Sequence, residues 1–183
     1  MRKFLTTFIT LLFSFHLYGT EVFVEPSLGF SLGSFEHQSN TFDSKGFGLT
    51  GRIGMKSMGL MAGLDLSFSS NSLDNPNDDS WESRQYGIFI GVDLGKNFPI
   101  KTWFSFYPYS ELDHKSPIEL FGSGFKFGLG YYPWIIQPIS FTFEYMSSSF
   151  SEIEDSIGRR DLAIDSELSA IIFGVSFHFS GPF

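Results

Sequence analysis

The chain has 183 residues, a formal net charge of −8 and no cysteine. This length predicts a single domain, and the lack of cysteine excludes disulfide frameworks, thiolate metal sites and a lipidated cysteine. The acidic charge argues against nucleic acid as a partner. Phenylalanine alone accounts for 24 residues, a high share for a soluble domain.

The first residues have the pattern of a secretory signal peptide. Arg2 and Lys3 provide a positive start, and Phe4–Phe15 is a mostly apolar run that is too short to span a bilayer as a helix. We predict cleavage after Gly19, which divides the chain into a signal peptide, 1–19, and one exported domain, 20–183; an uncleaved anchor is the alternative. Loss of Arg2 and Lys3 changes the formal charge from −8 to −10.

From residue 21 onward, alternating runs of about ten residues recur, the length that a tilted strand needs to cross the hydrocarbon layer. The clearest run is F-G-S-G-F-K-F-G-L-G-Y, residues 121–131, with large apolar groups on one face and glycine plus one lysine on the other. This polarity predicts a small barrel with a lipid-facing outside and a polar inside. The eight predicted strands are Val22–Ser34, Gly46–Lys56, Gly59–Ser69, Arg84–Gly95, Ile100–Tyr109, Phe121–Tyr131, Pro138–Ser149 and Ala170–Phe179.

Long and short connections alternate between these strands. The predicted long polar loops are 35–45, 70–83, 110–118 and 150–168, and the short turns lie at 57–58, 96–98 and 133–137. Because open sheet edges are not tolerated in lipid, the strands must close. The predicted fold is therefore all-β, an eight-stranded antiparallel up-and-down transmembrane β-barrel. A soluble ligand-binding barrel, the rival fold, would be apolar inside and charged outside.

The predicted inward face carries a balanced set of charges. Its acids are Glu25, Asp65, Asp93 and Glu144, and its bases are Arg52, Lys56, Lys101 and Lys126. Since a buried charge must be paired, we predict structural ion pairs in the lumen. Hairpin geometry predicts Lys126 opposite Glu144, with Phe127 opposite Phe143 outside. It also predicts Asp93 opposite Lys101, and Arg52 within a diagonal step of Asp65. A gated polar path for small solutes is the alternative, although Phe89 and Trp103 on the same face would obstruct it.

The last predicted strand has a glycine followed by spaced aromatic residues: Gly174, Phe177 and Phe179, with Phe183 as a terminal aromatic. This ending and the strand rhythm resemble the small eight-stranded outer-membrane barrels of Gram-negative bacteria, of the OmpA, OmpX and OmpW type. The resemblance implies an outer-membrane location with both termini in the periplasm. It also implies contact with outer-membrane lipids and lipopolysaccharide, and recognition of the last strand by the barrel-assembly machinery.

Aromatic residues near strand ends are candidates for girdles at the membrane interfaces. The candidates are Trp103, Tyr107, Tyr109, Tyr131, Tyr132 and Trp134.

Few residues point to chemistry. His37 and Ser39 resemble part of the His/Ser set of barrel enzymes that modify lipid A, but they have no identifiable acid partner. His178 is expected to face inward near Glu25. The acidic residues Asp74, Asp78 and Asp79 lack an EF-hand pattern. The acidic segment Glu152–Glu167 is predicted to be a solvated loop, and the alternative is that divalent cations bridge its carboxylates to lipopolysaccharide phosphates. We predict neither a metal site nor a cofactor.

We therefore predict a non-enzymatic structural or surface protein that displays acidic loops. The alternatives are a channel for small solutes or hydrophobic ligands, and a lipid A-modifying enzyme.

Overall fold

The structure is a computed structural model that describes residues 20–37, 40–74, 80–95, 98–114, 118–133 and 138–182. The predicted signal peptide, Ser39, Asp78, Asp79, Trp134 and Phe183 lie outside these ranges. The strands are β1 (Glu21–His37), β2 (Asn40–Ser57), β3 (Leu60–Leu73), β4 (Ser80–Asp93), β5 (Ile100–His114), β6 (Ile118–Tyr131), β7 (Ile139–Asp155), β8 (Gly158–Phe177) and β9 (Phe179–Pro182). Among the described residues, no helix is both long and apolar enough to cross a membrane.

Strands β1 to β8 form a closed antiparallel up-and-down barrel, which confirms the predicted fold class. Each strand pairs with its neighbours in sequence, and β1 pairs with β8 to close the sheet. Strand β9 continues the line of β8 along β1, from Val24↔Phe179 to Glu21↔Pro182. The interruption between β8 and β9 lies opposite Glu25 and Pro26, where proline has no N–H to donate to the ladder.

The outer surface of the barrel carries a broad apolar band, as predicted from the alternation. On β6, Phe125, Phe127, Leu129 and Tyr131 are exposed, whereas Lys126 between them is fully buried. On β5, Phe104 and Phe106 face outward, and Trp103 and Tyr107 face the lumen. We call the end of the barrel that holds the chain termini the lower end, and the opposite one the upper end.

The prediction of four long loops is wrong, because most of the described residues in these segments belong to longer strands. Strands β1 and β2 remain paired up to His37↔Asn40, and β7 and β8 remain paired up to Asp155↔Gly158. The physical reason is a reversal of polarity along each strand. Phe35, for example, lies on the same inward face of β1 as Glu25, which is nearer the lower end. A search for strands with apolar residues on the outward face therefore misses the upper part of each strand.

Candidate functional site

The centre of the lumen contains a chain of six buried charges whose signs alternate. Its lower part centres on Glu25, whose Oε1 lies 2.7 Å from Arg52 Nη2 and 2.5 Å from Lys101 Nζ. Arg52 continues the chain upward, because its Nη1 lies 3.6 Å from Glu144 Oε1. The order of the chain is Lys101, Glu25, Arg52, Glu144, Lys126 and Asp65.

Lys126 joins the two uppermost acids of this chain. Its Nζ lies 3.4 Å from Asp65 Oδ2 and 3.4 Å from Glu144 Oε2. Asp65 also accepts a hydrogen bond from Ser105 Oγ at 2.5 Å. Lys126 and Asp65 are both fully buried. Since each charge has an opposite charge beside it, the lumen satisfies the requirement for burying ions in a narrow barrel.

The remaining two residues of the predicted set form a separate pair at the lower rim. Lys56 Nζ lies 2.9 Å from Asp93 Oδ2 and 3.9 Å from Glu21 Oε2. Asp93 is directly opposite Lys101 in the β4–β5 ladder, as predicted. The ion-pair partner of Lys101 is nevertheless Glu25, across the lumen.

One of the predicted registers is wrong. Lys126 is opposite Met146, and Glu144 is opposite Gly128, so the β6–β7 hairpin is centred one residue later than predicted. Consequently Phe127 faces Tyr145 instead of Phe143. Arg52 is directly opposite Asp65, which is within the predicted diagonal step.

Below the centre of the charged chain, a cluster of apolar side chains fills the lumen. This lower cluster consists of Phe23, Met61, Phe89 and Trp103. The Arg52 guanidinium lies over the Trp103 ring at 3.7 Å from its centroid. The wall opposite the ring is Gly128, where an added Cβ atom would overlap Trp103 Cε2. Glycine on the inward face therefore provides the space that the indole occupies.

The upper part of the lumen is closed by a second, larger apolar cluster that the sequence pattern did not predict. This upper cluster consists of Phe35, Leu73, Leu112, Leu120, Met146, Phe150, Leu168 and Ala170. Most of these residues lie in the segments predicted as loops. Their alternation with polar residues was present in the sequence, but with the apolar residues on the opposite face.

Direct contacts across the lumen show how narrow it is. Gln85 Nε2 on β4 donates to Ser148 Oγ on β7 at 2.7 Å, and Lys101 Nζ on β5 donates to Ser176 Oγ on β8 at 3.2 Å. Together with the two apolar clusters, these contacts obstruct the described part of the lumen.

The histidines considered in the sequence have different surroundings. His37 Nδ1 lies 2.6 Å from Ser166 Oγ, and that hydroxyl is fully buried. His178 Nδ1 lies 3.1 Å from Glu25 Oε2, so this contact links the charged chain to the lower rim. Within the described residues, no group of three or more acidic or histidine side chains could hold a metal ion.

The aromatic candidates for girdles separate into two groups. Trp103 and Tyr107 are buried in the lumen, because they lie on the inward face of β5, so they cannot form a girdle. Tyr109 and Tyr131 are exposed on the outside. Tyr109 packs against Tyr86 and Phe121 at centroid distances of 5.8 and 6.2 Å.

Above this aromatic group, the outer surface is acidic. Glu82, Asp113, Glu119 and Glu154 lie opposite one another on four consecutive strands. Burial and the carboxylates of Asp113 and Glu111 raise the pKa of Glu119. At the tip of the β7–β8 hairpin, the Ile157 N–H donates to Asp155 Oδ1 at 2.8 Å. This bond and the neighbouring Arg160 lower the pKa of Asp155.

The residues of the predicted assembly signal lie at the closing strand. Phe177 and Phe179 are exposed on the outer surface, and Gly174 is opposite Gly29 of β1.

No protein-family model and no curated protein matches this sequence. Solved structures do match its fold. The structure of Ail, the attachment invasion locus protein of Yersinia pestis, has a TM-score of 0.58 at 9% identity and covers 89% of this chain and 100% of its own. Neisserial surface protein A has a TM-score of 0.53 at 12% identity and covers 86% of this chain and 97% of its own. The chain therefore has the fold of the small eight-stranded outer-membrane barrels.

Proposed function

We propose that this protein is an integral outer-membrane β-barrel with a structural and surface role, that it is not an enzyme, and that both of its termini lie in the periplasm. The observation that carries this proposal is the apolar band. Large apolar side chains are exposed on all eight barrel strands, at a level where the lumen holds a neutralised chain of ions. In water, exposure of such a band would be unfavourable in free energy, whereas in a bilayer the band contacts acyl chains.

The proposed partners follow from the same arrangement. Outer-membrane lipids, including lipopolysaccharide, contact the band and the aromatic and acidic residues above it. The exposed Phe177 and Phe179 and the nearby Gly174 support recognition of the last strand by the barrel-assembly machinery. The non-enzymatic role is supported by the contact of His37 with a buried Ser166 hydroxyl, which a substrate cannot reach.

Electrophoresis of the membrane fraction with and without boiling tests the proposal. We expect the protein in the outer-membrane fraction, with a different mobility before and after heating, because a closed barrel resists detergent until it is heated. A variant with Lys126→Glu, which should not close, provides the unfolded reference. A heat-insensitive protein in the soluble fraction would contradict the proposal.

A second experiment addresses the channel alternative. We expect no discrete conductance steps from the purified protein in planar bilayers at any voltage, because the lower and upper clusters and the contacts across the lumen block an aqueous path. A porin reconstituted in the same way is the positive control. Openings whose ion selectivity changes in Glu25→Gln would instead identify a conduit through the charged chain.

A further inference from the structure

Two of the short turns at the lower end carry exposed apolar residues at their tips. The β2–β3 turn contains Met58, which is 84% exposed, and the β4–β5 turn contains Leu94 and Phe98, which are 53% and 64% exposed. Gly59 O accepts a hydrogen bond from the Asp93 N–H at 2.7 Å, so the two turns lie side by side. Large apolar side chains are therefore exposed together at this end of the barrel.

The backbone of Met58 is strained. Its φ is +52° and that of Gly59 is +84°, both in the left-handed region. Two such values are typical of a type I′ hairpin turn, whose first central residue is usually asparagine, aspartate or glycine. Methionine is unfavourable there, because its Cβ atom crowds the following carbonyl oxygen. Since the exposed side chain packs little against the described protein, the strain points to a contact partner outside the chain.

The outer surface directly above these turns is uncharged. On β4, Arg84 is the last outward charge toward the lower end, and the outward residues within Tyr86–Leu94 are all apolar or aromatic. The charged residues near the turns, Glu21, Lys56 and Asp93, lie on the inward face, where Lys56 contacts both acids. The exposed turn tips are therefore continuous with the apolar band.

The height of the uncharged surface determines whether the turns extend below the membrane. Leu60 is opposite Val92 in the β3–β4 ladder, so Met58 at the tip of its turn is level with Leu94. The distance from Tyr86 to Leu94 is about 27 Å along the strand, and a tilt of about 40° reduces it to about 20 Å across the membrane. The apolar band of an outer-membrane barrel is about 25 Å tall, so it has to include the turn tips.

We propose that Met58, Leu94 and Phe98 contact phospholipids of the periplasmic leaflet, at the boundary between acyl chains and headgroups, and that these two turns do not extend into the periplasm. The inference rests on the proposed membrane location and orientation. Lipid is favoured over a protein partner because the tips continue the apolar band and because the band is too short without them. Lys96, in the second turn, lies outside the described residues; a lysine is compatible with this depth, because its ammonium group can reach lipid phosphates.

Single fluorescent probes test the depth of the turns. The chain has no cysteine, so one introduced cysteine carries one probe. Met58→Cys and Phe98→Cys are labelled with nitrobenzoxadiazole and folded into phosphatidylcholine vesicles. The quenchers, used separately, are lipids brominated near the headgroup and iodide on both sides of the membrane. We expect quenching by the brominated lipids, and iodide quenching about fivefold weaker than for a probe in water, because an anion is excluded from hydrocarbon.

The matched control is Ile157→Cys. Ile157 is also 84% exposed at the tip of a hairpin, but it lies at the upper end, beside the ion pair of Asp155 and Arg160. Its probe should be quenched by iodide and not by the lipids. Phe127→Cys, within the apolar band of β6, is the lipid control, and its probe should be quenched by lipids brominated deep in the acyl chain.

The outcomes separate this inference from the membrane proposal. Iodide quenching at Met58 and Phe98 equal to that at Ile157 would overturn the inference alone if the Phe127 probe remains in lipid. Iodide quenching at Phe127 as well would overturn the membrane proposal together with it. Protection of Met58 from iodide that is lost when the protein is diluted in the vesicles, without quenching by brominated lipids, would identify contact between two copies of the chain and overturn the lipid contact.

Discussion

Replacing Lys126 by glutamate is expected to prevent closure of the barrel. The substitution would place a third carboxylate beside Asp65 and Glu144 at a position with no solvent exposure. Removing one partner of a buried ion pair typically costs about 3–5 kcal/mol, and reversing its charge adds repulsion. The measurement is the fraction of heat-modifiable protein after refolding into detergent, followed by urea unfolding of any folded fraction.

A graded series separates the charge effect from packing. Lys126→Met should fold less stably than the wild type, because Asp65 loses its cation while Glu144 keeps Arg52. Adding Asp65→Asn should recover part of that loss, since it restores the charge balance of the lumen. Lys45→Glu, at an exposed position of β2, should leave folding unchanged. A Lys126→Glu barrel as stable as the wild type would disprove the pairing.

Replacing Gly128 by alanine is expected to destabilise the barrel although it adds only one methyl group. The new Cβ atom would overlap the Trp103 indole, which is itself held by the Arg52 guanidinium on one face. Overpacking of this kind costs about 1–3 kcal/mol, because a rigid ring cannot move without displacing its neighbours. The change in urea midpoint in detergent measures the cost.

Two comparisons make this prediction specific. Gly51→Ala should be nearly neutral, because no atom beyond the glycine and its two chain neighbours lies within 4 Å of a Cβ built there. In a Trp103→Leu background, Gly128→Ala should cost much less than in the wild type, since the smaller side chain leaves space. If Gly128→Ala reduced stability equally in the wild type and in Trp103→Leu, Gly128 would not be needed to accommodate the indole.

The half of each strand that carries outward apolar residues was predictable, because the alternation there is strong and one-sided. The faces of Phe127 and Lys126 follow directly from a period of two, and the Asp93–Lys101 register follows from a short turn. The contact between Lys126 and Glu144 forms although the register was predicted incorrectly. A lysine side chain is long enough to reach a partner one diagonal step away.

The upper half was not predictable with the same rule. There the apolar residues, such as Leu112 and Phe150, point inward, and the polar residues face out. A search for outward apolar residues therefore classifies these segments as loops. The ion-pair partners across the lumen could not be predicted from the sequence either. Lys101 contacts Glu25 across the interior, although its neighbour in the β4–β5 ladder is Asp93.

In the proposed outer-membrane location, the reversal of polarity along the strands has a consequence for the depth of the protein in the bilayer. Moving the barrel toward the outside would lift residues such as Leu28 and Phe143 out of the acyl chains and into water. Moving it the other way would bring Glu82 and Glu154 into hydrocarbon. Both displacements are unfavourable, so the chain itself fixes the height at which its upper rim stands above the membrane surface.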